Sequence, residues 1–233
     1  MNRQLVKIFL AMFLTFVGVI ALNSEELALS KISDEEFRQM GELMRELRNI
    51  KKDALFVPVA RLQLLYLDNQ IEQVKESDPE TANKMRKFAR GVAYNIASFT
   101  WPGWGNTGPI SSEAQELGFS AARVGLEYSK AADDITSNIL WINGAHALSA
   151  KQFELAIERF EAAHQIASTE IDKLMQGGWI ALTQLLKRSD EETEKAFDTA
   201  FNNLQSSDHE YAEFFASQLT TAREIFTAED TDE

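Results

Sequence analysis

Apolar residues return every three or four positions along most of this chain, the spacing that puts them on one face of an α-helix. Phe37, Met40, Met44 and Leu47 form one such stripe, and Leu64, Leu67, Ile71 and Val74 form another beyond a break at Pro58. Together they predict an antiparallel helical hairpin, each stripe being too short for a coiled coil. A third helix is predicted over 79–98, and further helices near 112–130, 134–149, 152–166, 169–187, 190–205 and 208–228. The joints between them are short, which makes neighbours antiparallel. In the last helix Tyr211, Phe215, Leu219, Ala222 and Phe226 share a face while Glu210, Glu213, Arg223 and Glu224 lie elsewhere, as suits a closing element.

Polar residues mark the helix starts. A serine followed three residues later by Glu or Gln can satisfy two unpaired backbone donors, and Ser33 with Glu36, Ser112 with Gln115, Ser189 with Glu192, and Ser207 with Glu210 have that form. Asp78 before Pro79 marks a fifth start, proline being well placed at the first helical position. One stretch, from Phe99 through Trp101, Pro102, Gly103, Trp104, Gly105 and Asn106 to Pro109, is irregular throughout. The chain therefore divides into a leading segment 1–24, a helical hairpin with a third helix over 25–98, a Trp/Gly/Pro loop 99–110, a helical repeat region 111–228 and an acidic tail 229–233.

Within the repeat region Gly144 is followed by Ala156, Phe160 and Ala163, and Gly178 by Thr193, Phe197 and Ala200. Small residues at matched places let consecutive helices cross closely, with an aromatic plugging the gap between them. From Leu140 to about Leu204 this pattern resembles the tetratricopeptide repeat (TPR) family, whose signature is W-x2-L-G-x2-Y, then A-x3-F, then a small residue and a proline. Trp141 lies one residue late, Ala147 stands for the tyrosine and Ser168 for the proline. The family period of 34 carries Gly144 to Gly178, whereas the second-helix residues repeat after 37. A fainter unit precedes these two, with Gly91 and Tyr94 on one helix and Ala122, Leu126 and Ser129 on the next, the tryptophan loop being an insertion between them. The resemblance implies an all-α fold of antiparallel hairpins, stacked as a TPR-like right-handed solenoid or a compact bundle, and the apolar N-terminus places a signal or anchor helix before it. It also implies a role in protein–protein contact.

The N-terminus sets the address. Arg3 and Lys7 precede an apolar run from Ile8 to Leu22, after which Asn23, Ser24, Glu25 and Glu26 turn polar. That run spans roughly 22 Å as a helix against a hydrocarbon core of about 30 Å, so a signal-peptide core fits better than a stable span. The expectation is an exported protein, periplasmic or anchored to the inner membrane and facing the periplasm, touching membrane only through residues 4–22 if that segment is not cleaved. The absence of cysteine removes disulfides and thiolate metal sites, so packing alone must supply stability. A net charge of −13 leaves nucleic acid an improbable partner; the one cationic cluster, Lys84, Arg86, Lys87 and Arg90, reads as a solvated helix face.

Candidate chemistry is sparse. Gly103, Gly105 and Gly108 spell G-x-G-x-x-G, but that fingerprint needs a strand before it, and here a helix precedes it. His146, His164 and His209 are too scattered for a metal site, and no cofactor is implied. Acidic pairs such as Asp133 with Asp134 serve helix starts and solubility. Trp101 and Trp104 either anchor their loop to the helices beneath or, with Asn106, form a contact surface. Asn143, His146 and Trp179 are candidates for the lining of a groove on the stacked hairpins. The expected function is that of an exported adaptor binding a protein partner without catalysis. The alternatives are a helical envelope enzyme acting on glycans, with an acid beside the tryptophan loop, and a structural homo-oligomer.

Overall fold

Short joints and small side chains govern how these helices lie on one another. The computed structural model describes residues 39, 41–43, 45–47, 53–105 and 110–228, which belong to one contact unit beginning at Gln39. The leading segment 1–24, the Ser33 cap, Phe37, Met40, Met44, Asn106 and the acidic tail lie outside the described residues. Every regular element among the described residues is helical. After a helical stretch that includes Gln39 and a buried Leu47 come α1 (Asp53–Val74), α2 (Pro79–Thr100), a 3-10 turn (Pro102–Trp104), α3 (Ser112–Ala131) and α4 (Ser137–Ser149). Then follow α5 (Phe153–Ile166), α6 (Glu170–Arg188), α7 (Glu191–Gln205) and α8 (Ala212–Ala228).

From α3 onward the joints are two to six residues long, so each helix turns back along its predecessor. Helix α2 packs on α3, α4 on α5, α5 on α6 and α6 on α7; α1 lies against α2 and α3, and α8 closes over α6 and α7. Gly144 marks one crossing: a Cβ there would stand 2.7 Å from the Phe160 ring of α5. Ala156, Phe160 and Ala163 are all fully buried around that crossing. Gly178 has a different neighbour, since a side chain there would collide with Leu219 of α8, while Thr193 and Phe197 of α7 are buried and Ala200 is half-buried. In the earlier unit Gly91 has open space around it, and Gly125 of α3 makes the close approach instead, against Ala93 and Ile139.

The caps shift from their predicted places for local reasons. Asp78 caps α2 as expected, accepting from the Thr81 amide at 3.0 Å, with Pro79 following. Ser111, not Ser112, caps α3, and α8 begins only at Ala212, beyond the predicted Ser207 box. Ser189 takes φ 50, the left-handed turn that ends α6, so the cap of α7 passes to Asp190. Asp190 accepts from the Thr193 amide at 2.9 Å, and the Thr193 hydroxyl accepts from the Asp190 amide at 3.1 Å. Pro58 does not break a helix but lies inside α1, near its start and facing solvent, where its missing N–H forfeits a single backbone bond. The cationic face of α2 is engaged rather than free: Arg90 and Lys87 pair with Asp134 in the α3–α4 joint at 2.8 and 3.3 Å.

Candidate functional site

Trp101 follows the last turn of α2 and folds back beneath the 3-10 turn, where any side chain on Gly103 would collide with its indole. Gly105, at φ 70, lets the chain leave that turn. The Trp101 ring is fully buried, and its Nε1 donates to the Ala145 carbonyl and the Ser149 hydroxyl, each at 2.8 Å. Ring centroids lie 4.9 Å from Trp104, 5.7 Å from Trp141, 5.6 Å from Trp179 and 6.2 Å from Phe226. One side chain thus joins α4, α6 and α8. Trp104 is half-buried and donates to the Ser98 carbonyl at 2.7 Å, so the loop is tied to the end of the helix it leaves. The indole donors of Trp141 and Trp179 are buried there without partners. Of the two expected roles, loop anchor or contact surface, buried Trp101 and half-buried Trp104 are placed as anchors.

The second expected surface, Asn143, His146 and Trp179, is likewise interior. Helix α4 is buried on every side from Ile139 through Leu148, so the exposed face that a two-sided helix would have is missing. Asn143 donates to the carbonyls of Ala122 and Ile139 at 2.7 and 2.8 Å. His146 is 3% exposed and its Nε2 lies 2.9 Å from the Ala97 carbonyl, to which a neutral ring donates. Burial pushes its pKa down to about 4, so the ring is uncharged at neutral pH.

An accessible recess lies elsewhere, between α3 and α5 over one edge of α4. Its floor is Ala122, Leu126 and the edge of Asn143, and its apolar walls are Phe119 and Leu155. Its volume is about 120 Å³, room for one side chain. Arg123, Lys130 and Arg159 stand around it with one carboxylate, Glu127. Lys130 pairs with Glu127 at 2.8 Å and Arg159 with its chain neighbour Glu158 at 2.9 Å, whereas exposed Arg123 has no partner among the described residues. Phe119, Arg123, Leu126, Glu127 and Lys130 lie on one face of α3 and are legible as such in the sequence. Arg159 and Leu155 join them only because α5 comes alongside, which local spacing does not show.

No group of His, Asp and Glu among the described residues is placed to hold a metal ion. No helix among them is long and apolar enough to cross a membrane. The described part of the G-x-G-x-x-G string, Gly103 and Gly105, sits at a 3-10 turn that follows a helix. Three carboxyls among the described residues are shifted downward: Asp134 by hydrogen bonds from Arg90, Glu154 by Lys187, and Asp190 chiefly by the Thr193 amide. No protein-family model, curated protein or solved structure matches this chain.

Proposed function

We propose that this chain is an exported, non-catalytic binding module whose hairpins stack as a TPR-like right-handed solenoid and offer a groove to a protein partner. The succession of pairs α2–α3, α4–α5 and α6–α7, closed by α8, supports the stacked arrangement. The Gly144–Phe160 crossing supports the TPR-like geometry of its central unit. Helices α4, α6 and α8, which alternate along the stack, converge on Trp101, so the α2–α3 loop occupies their shared face. The groove left open belongs to the other row, α3 and α5, and this apolar-floored, solvent-facing recess is the observation that carries the reading.

The glycan-enzyme alternative asks for a carboxylate beside Trp101 or Trp104 with a pKa raised by burial. The groups described against Trp101 are three indoles, a phenyl ring, a carbonyl and a hydroxyl, and the perturbed carboxyls lie low instead of high. Site-specific photocrosslinking tests the module: a photoreactive residue at Leu155 of the full-length chain, in its native envelope, is expected to give a discrete protein adduct. The same residue at exposed Glu224 on α8 should not. Absence of an adduct at 155, or the same adducts at both sites, would overturn the reading.

A further inference from the structure

Resting on that reading of the α3–α5 recess as a docking site, we infer that its partner is an acidic peptide segment bearing one apolar anchor side chain. The charge around the recess opposes that of the molecule. Over the whole sequence acidic residues outnumber basic ones 36 to 23, yet the recess is lined by three cations and one carboxylate. Arg123 carries no ion pair among the described residues, and its guanidinium presents a planar fork suited to a carboxylate. Lys130 and Arg159 are paired only with carboxylates of their own helices, three and one residues away, so a ligand carboxylate can replace those partners without unfolding anything. Between the cations lie the apolar side chains of Leu126, Ala122, Phe119 and Leu155, with the edge of Asn143 beside them. A volume of about 120 Å³ admits a leucine-sized group. An anionic segment is repelled by the net charge of the molecule and attracted by this cluster, which favours docking here.

The test is fluorescence polarisation with the full-length chain and labelled five-residue peptides. One peptide has a central leucine flanked by two aspartates on each side; a second has lysines in place of the aspartates; a third has serine in place of the leucine. The acidic leucine peptide should bind at least about tenfold more tightly than either of the others, and its affinity should fall as salt is raised. Arg123→Glu combined with Arg159→Glu should weaken it by about tenfold or more, while Glu127→Gln should strengthen it by about twofold. Helical circular dichroism matching the parent chain certifies the folding of each variant. Equal binding of the lysine peptide, or affinity unchanged by the double charge reversal, overturns the acidic partner class. If crosslinks nevertheless form at position 155, the docking site stands and only the partner chemistry falls; if neither crosslink nor peptide binding is seen, both fall.

Discussion

Gly144 and Phe160 occupy one shared space, and each is the size it is because of the other. Gly144→Ala would drive a methyl group to 2.7 Å from the aromatic ring, an overpacking expected to cost about 1–3 kcal/mol. Phe160→Leu alone should also destabilise by leaving a cavity. Together the two should lose less than the sum of their separate effects, and urea denaturation of the four chains measures the difference; strict additivity would deny the contact. His146 makes a second residue-scale prediction. With a folded pKa of about 4 against 6.5 for the free side chain, it is neutral in both states above pH 6.5 and contributes no pH dependence there. Between pH 6.5 and 4 the unfolded chain takes up a proton that the folded chain refuses, so stability declines by ~3 kcal/mol in total and then levels as far as this group is concerned. Asp134, Glu154 and Asp190, held low by their partners, add a further loss as pH falls through and below the usual carboxylate range. His146→Gln should flatten the decline between pH 6.5 and 4 in unfolding midpoints measured across that range; an unchanged slope would sink this assignment.

At the scale of elements, the α6–α7 joint separates two readings of one serine. Ser189, with φ 50, terminates α6, and Asp190 caps α7. Asp190→Ala should therefore cost about 1 kcal/mol, whereas Ser189→Gly, relieving the left-handed strain, should stabilise by up to about 1 kcal/mol. Thermal melts of both variants decide the matter: a serine acting as the cap would give losses at position 189 and little change at 190. Helix positions from 79 onward were legible in the sequence because the three-four stripe and the polar joints point the same way there. The caps were less so, since Ser189 with Glu192 and Asp190 with Thr193 both fit the same motif, and only backbone direction chooses between them. Pro58 misled for a related reason. Proline removes one backbone hydrogen bond and crowds the carbonyl four residues before it, a loss that α1 absorbs at Pro58 without ending.

Over the whole molecule the decisive contacts join residues far apart in sequence. Trp101 touches Trp141, Trp179 and Phe226, a convergence no periodicity along the chain displays. Asn143, His146 and Trp179 resembled groove residues because they share the first helices of adjacent repeat-like units; burial of α4 on all sides makes them core instead. The recess beside Arg123 was half legible, as a face of α3, and became a site only with α5 laid against it. If Trp101 is the pin that holds α4, α6 and α8 together, Trp101→Ala should destabilise the chain by about 3–5 kcal/mol. Hydrogen exchange should then show α8 losing protection first, with α5 retaining it longer. Uniform loss along the chain would mean that the pin is merely one more buried side chain.

The sequence contains four tryptophans, and their ring centroids are linked by steps of 4.9 to 5.8 Å. Indoles that close couple as a set, so the tryptophan part of the near-ultraviolet dichroism and the indole emission of this protein come from a single address. Any parting of α4, α6 and α8 should dissolve that coupling and shift the indole emission. The unlabelled protein therefore reports its own disassembly by colour alone.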